Sequence, residues 1–148
     1  MYCMNFVKKC LCFFEDTSPS GKEVAWALLV LRIAIAIFFI THGYGKLFGT
    51  APGLEGFTGM LAGLGFPAAG AMALLVGVAE FFGGIALLLG VFTRFSAFWL
   101  ALISLVAWIT VKEFGLPAGD LDLLSLGGTL ALLLAGPGMY SVSKYLKK

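Results

Sequence analysis

Few side chains in this chain can do chemistry, and their positions narrow what that chemistry is. The one histidine, His42, stands in "THGYGKLFG" at residues 41–49, with Tyr44 and Lys46 close behind it. Arg32 interrupts the apolar run "VAWALLVLRIAIAIFFI" that leads into this segment, and Glu80 interrupts "AMALLVGVAEFFGGIALLLG". Asp120 and Asp122 precede a further apolar run. An imidazole exchanges protons close to neutral pH, so His42 reads as a proton donor or acceptor. It reads equally as a helix-end group among lipid headgroups, bonding the last carbonyls of its helix. A lone histidine lacks the further ligands that a metal site needs, so no metal is expected. Arg32 and Glu80 fit either a structural ion pair or the lining of a polar cavity for a head group, a proton or a quinone.

The surroundings of these residues identify the solvent. Of the 148 residues, 60% are hydrophobic and only 12% charged, with a mean hydropathy of +1.00. Soluble domains carry about 25% charged residues, so lipid is the expected medium. A net charge of +2 without an aromatic-interleaved basic patch excludes nucleic acid as a partner. A single histidine excludes a bis-histidine haem, and the chain holds no phosphate loop, dinucleotide fingerprint or CxxC pair. No redox centre of its own is visible, so a redox role needs an exogenous carrier or a partner subunit. Cys3, Cys10 and Cys12 all lie in "MYCMNFVKKCLCFFEDTSPSGKE", at spacings that match no zinc or redox signature. This N-terminal stretch lacks the features of a secretory signal.

The apolar runs predict the elements that carry the reactive residues. A helix needs about 20 apolar residues to cross a bilayer. Four spans are expected, at 24–41, 67–89, 95–111 and 121–135, with Pro67 opening the second and "GPG" at 136–138 stopping the fourth. In "GVFT", Gly90 is expected to end one helix and Thr93 to cap the next. Asp120 or Asp122 suits the start of the fourth helix. Leu54, Phe57, Leu61 and Leu64 recur at helical spacing within a Gly-rich connection, which predicts a short interfacial helix between spans one and two. Trp26, Trp99 and Trp108 read as aromatic belts without chemistry. The expected fold is therefore all-α: a polytopic membrane protein with a four transmembrane helix bundle. Residues 1–23 and 142–148 form tails, and 24–141 the membrane domain.

Four spans put both termini on one side, together with Lys8, Lys9, Lys22, Arg94, Lys144, Lys147 and Lys148. Lys46 and Lys112 fall on the other. The excess of cations makes the termini cytoplasmic and places His42, Tyr44, Lys46, Asp120 and Asp122 at the outer rim of a cell membrane. Counted from the cytoplasmic helix ends, Arg32 lies about 12 Å deep and Glu80 about 15 Å, which predicts that they pair. Ala73, Gly77, Glu80 and Gly84 share one face of the second span, and Ala25, Arg32, Ala36 and Gly43 share one face of the first. Small residues along both stripes allow close approach.

The segments "LRIAIAIFFITHGYGKLFG", "FTGMLAGLGFP", "AEFFGGIALLLGVFTRFSA" and "AGPGMYS", in this order and spacing, resemble the DoxX family of small four-helix membrane proteins. The resemblance covers about residues 24–141. Arg32, His42, Gly43, Lys46, Glu80, Gly83, Gly84, Thr93, Arg94, Gly136, Pro137 and Gly138 occupy the signature positions, while the cysteine-bearing tail has no counterpart. The resemblance implies a membrane component of an oxidoreductase system, linked to quinone or to redox-stress defence, and a membrane quinone as carrier. His42, Glu80 and Arg32 are then the candidate catalytic residues. Arg32, Glu80, Gly77, Gly84 and Lys46 are the candidate quinone site, with Tyr44, Asp120 and Asp122 at its outer rim. A scaffold that recruits a soluble redox enzyme is the alternative, and a small-solute carrier fits less well, since no inverted repeat is visible. Expected partners are the lipid bilayer, a soluble redox enzyme or other membrane subunit, and a second copy of the chain.

Overall fold

The structure, a computed structural model, describes residues 21–49, 53–111 and 119–145, with the side chains of 144 and 145 left out. The expectations for Cys3, Cys10, Cys12, Lys112 and the two ends fall outside the described residues. Among the described residues six helices follow in order: α1 (Gly21–Phe48), α2 (Gly53–Gly63), α3 (Ala69–Leu89), α4 (Thr93–Thr110), α5 (Asp120–Ala135) and α6 (Val142–Tyr145). No strand occurs among the described residues. By length and composition α1, α3 and α4 can each cross a bilayer. The expected fourth span, α5, has 16 residues, about 24 Å against a hydrocarbon core of about 30 Å.

The first helix continues past its expected end at Thr41. Gly43 and Gly45 look like helix breakers in the sequence, yet both lie inside α1. At Gly43 the reason is contact: a Cβ there would come within 2.5 Å of the Phe81 backbone nitrogen. The residue is small so that α3 can approach, and the intrahelical ladder carries on. Thr41 donates its hydroxyl proton to the carbonyls of Ile37 or Phe38, both 2.9 Å away. A polar side chain on an apolar helix is thereby satisfied within its own helix.

The two small-residue stripes meet as their pattern requires. Ala25, Arg32, Ala36 and Gly43 are buried on α1, and Ala73, Gly77, Glu80 and Gly84 on α3. Gly77 receives Leu47, and Gly84 receives Ile40. The second tight pair is α4 with α5, where the Ser104 and Ser125 hydroxyls are hydrogen-bonded at 2.8 Å. Between the pairs, Ile35, Ala36, Phe39, Leu87, Ala97, Leu100 and Leu132 form the core. The short α2 packs mainly on α3, with Leu61 buried and Met60 exposed.

Two boundaries differ from expectation by a residue or two. Gly90 does end α3, in the left-handed conformation at φ 70°, with its N–H bonded to Leu87 O. The residue before α4 is Phe92, itself left-handed at φ 49°, so Thr93 is the first helical residue and provides no side-chain cap. Likewise α3 begins at Ala69 after a left-handed Ala68, and Pro67 lies in the turn before it.

Candidate functional site

Extending α1 past Thr41 carries Lys46 to the level of Glu80 on the antiparallel α3. The Lys46 ammonium donates to Glu80 Oε1 at 2.5 Å. The Glu80 side chain is 5% exposed and that of Lys46 is 22% exposed. Lys46 also lies 4.6 Å from the centroid of the Phe57 ring on α2. The other carboxylate oxygen, Glu80 Oε2, is buried without a hydrogen-bond partner.

Arg32 does not pair with Glu80, and the expectation of that pair is corrected here. Gly43 faces Phe81 and Gly84 faces Ile40, so in this register Glu80 lies opposite position 44. From there to Arg32 is about 18 Å along the helix. Counting depth from helix ends assumes that the ends are level. They are not: α3 finishes beside Arg32 itself, whose Nη1 would lie 2.7 Å from a Cβ at Gly90. The guanidinium instead donates to the carbonyls of Pro137 and Tyr140, each at 2.5 Å. It is 3% exposed, and its Nε has no partner. Trp26 packs on Tyr140 with ring centroids 4.9 Å apart. Ser143 donates to Gly90 O at 2.6 Å. "GPGMYS" is thus folded under the bundle and tied to α1 and to the α3–α4 turn. Arg32 is an anchor at one end of the molecule, and the Lys46–Glu80 pair lies at the other.

Around that pair is a cavity of about 630 Å³. Lys46, Glu80 and Asp122 supply its charges. Its walls are Phe57, Met60 and Phe66 from α2 and its turn, Met72, Leu75, Val76 and Ala79 from α3, and Trp99, Ile103, Val106 and Thr110 from α4. A second recess of about 470 Å³ adjoins it, sharing Lys46, Phe57 and Met60, and adds His42, Gly45, Gly49, Gly53 and Gly56. Asp122 lines the Glu80 cavity and His42 the adjoining recess. His42 is exposed, with its ring on Phe38 at 4.1 Å between centroids. Its Nδ1 lies 2.8 Å from Phe38 O. A carbonyl only accepts, so Nδ1 carries the proton and Nε2 is left to exchange one.

The remaining candidates separate cleanly. Gly77 and Gly84 make the α1–α3 seam and line neither recess. Tyr44 is exposed and stacks with Phe48 and Phe81 at 5.3 and 6.4 Å. Asp120 is exposed in the first turn of α5, where Asp122 turns toward the cavity. Trp99, read from sequence as belt alone, is a cavity residue. Its spacing with Ile103 and Val106 on one face of α4 is the signal that could have found it. No group of three or more metal-ligating side chains occurs among the described residues. Chemically, the arrangement offers an ammonium donor and a free carboxylate oxygen to the polar end of an otherwise apolar guest.

The DoxX family model matches residues 27–113. The chain is 37% identical over 126 residues to the inner membrane protein YqjF of Escherichia coli, spanning 82% of this chain and 92% of that relative. It is 36% identical over 122 residues to an uncharacterized protein of Haemophilus influenzae, spanning 82% of this chain and 84% of that protein. No solved structure matches the chain.

Proposed function

The chain belongs to the DoxX family and is a membrane protein, and from that premise we propose that it is the membrane component of a quinone-linked oxidoreductase system. One observation carries the reading: an ion pair of half-buried Lys46 with buried Glu80, one carboxylate oxygen unpartnered, at the polar end of an apolar cavity. These residues fit a quinone. Lys46 Nζ would donate to a ring oxygen in either redox form, Glu80 Oε2 would accept from a hydroxyl of the quinol form, and Phe57, Phe66 and Trp99 would enclose the ring. The quinone supplies the two-electron redox chemistry. The protein positions the head group, keeps bulk water from it, and moves protons between the Lys46–Glu80 pair and His42 Nε2 at the adjoining mouth.

In this reading α5 is the fourth span, its shortness met by local thinning of the bilayer. Both termini are cytoplasmic and α2 lies at the outer surface. Purification in mild detergent, followed by extraction, tests the function. Wild-type protein is expected to carry quinone, and the Lys46→Met, Glu80→Gln double variant to carry none. A stoichiometric soluble enzyme without quinone would support the scaffold instead. In a chain with Cys3, Cys10 and Cys12 replaced by serine, a cysteine at position 55 is expected to label only from outside and one at 147 only from inside.

A further inference from the structure

We propose that the Lys46–Glu80 cavity is the head end of a longer site. Its continuation is a cleft between α3 and α4, which holds the apolar tail of the ligand and opens sideways to the bilayer. The inference rests on the quinone reading for its head group and goes beyond it in assigning the tail site and the route of access.

A groove of about 550 Å³ lies between the two helices, lined by Phe82, Gly83 and Ala86 of α3, by Phe95 and Ser96 of α4, and by Phe92 in the turn. It meets the head cavity at Ala79 and Trp99, which line both. The two spaces together follow α4 from Phe92 to Val111. At 1.5 Å per residue that is about 28 Å, close to the full thickness of a hydrocarbon core. Polarity along the path is graded. Lys46, Glu80, Asp122 and Thr110 cluster at one end, and Ser96 is the one polar side chain lining the other. On the core side α3 and α4 do touch, at Gly83 and Leu100, so the cleft is open only toward lipid. Phe82, Phe95 and Trp99, each about half exposed or more, form its lips.

This shape commits to one class of occupant: an amphiphile with a small head and one long flexible tail. The head is fixed by a second observation, the buried and unpartnered Glu80 Oε2 in the head cavity. A buried carboxylate oxygen without a donor is costly, so the occupant must bring a hydrogen-bond donor to it. A tail that enters with the head, sliding sideways between the helices, never crosses a polar region, whereas entry through the His42 mouth would drag it through water.

The test uses the full chain in lipid nanodiscs, with a reductant holding three probes of one ring as quinols, whose hydroxyls are the donors Glu80 Oε2 lacks: a tail-less benzoquinol, its decyl derivative and a long isoprenoid form. Binding is read from quenching of tryptophan fluorescence, with Trp99→Phe identifying the reporter, and affinity is expressed per mole fraction in the lipid to remove partitioning. The tailed probes are expected to bind about tenfold more tightly than the tail-less one. Ala86→Leu, which fills the groove, and Phe82→Ala, which removes a lip, should collapse that ratio toward one while leaving tail-less binding unchanged. Equal affinities for all three probes would overturn the tail site and leave the quinone reading standing. A tail preference that survives both substitutions would also overturn it, since the groove would then hold only bulk lipid. Failure of all three probes to bind would overturn both.

Discussion

The Lys46–Glu80 pair makes the sharpest energetic prediction. Its atoms are 2.5 Å apart, with the carboxylate side chain 5% exposed and the ammonium 22% exposed. Lys46→Met leaves a buried carboxylate with both oxygens unpaired, and removing one partner of a buried pair costs about 3–5 kcal/mol. Glu80→Gln leaves Lys46, which reaches the mouth and lies against Phe57, so that loss should be smaller, about 1–3 kcal/mol. The double variant leaves no buried charge and should lie within about 2 kcal/mol of wild type. The coupling energy is therefore expected to be at least about 2 kcal/mol. Arg32→Gln combined with Glu80→Gln should instead add within about 0.5 kcal/mol, because the two side chains share no partner. Unfolding in mild detergent titrated with dodecyl sulfate, followed by circular dichroism, measures all of these. Additive losses for Lys46 and Glu80, or strong coupling between Arg32 and Glu80, would refute the reasoning.

Three further outcomes follow from individual positions. Gly43→Ala should cost about 1–3 kcal/mol, since its methyl meets the Phe81 backbone; Gly45→Ala, with nothing within 4 Å, should gain up to about 1 kcal/mol, both by the same unfolding assay. Ser104→Ala should cost only about 0.6 kcal/mol, because Ser125 keeps its bond to Asp122 O at 2.9 Å; thermal unfolding checks it. His42→Ala should shift stability by less than about 0.5 kcal/mol, as an exposed residue, but slow proton uptake, read with a pH dye, when added quinone is reduced.

What the sequence discloses is periodic, and what it hides depends on register. The stripes containing Ala36, Gly43, Gly77, Glu80 and Gly84 are legible because small residues repeat at helical spacing. They bury against each other in the structure. Which charge meets Glu80 is not legible from depth alone. That depends on how far α1 overhangs α3, and the overhang is set by Gly43 packing on Phe81 and Gly90 packing on Arg32. Reading "HGYG" as a helix end hides Lys46 for the same reason, since a glycine at a close helix contact looks like a glycine at a stop. The carbonyls of Pro137 and Tyr140 that hold Arg32 leave no trace in side-chain pattern. Trp99 passes for a belt residue because the loose seam between α3 and α4 is a property of packing and has no compositional mark.

The most direct test of the central claim, that a membrane quinone binds at the Lys46–Glu80 cavity, is photolabelling with an azidoquinone in native-like membranes, followed by peptide mapping. Label is expected on the α3 segment 72–80 and the α4 segment 99–110, which form the cavity walls. It should be displaced by excess unlabelled quinone and lost in the Lys46→Met, Glu80→Gln double variant. Label spread over the exposed faces of α1, α4 and α5, unaffected by competitor and by the double substitution, would contradict it.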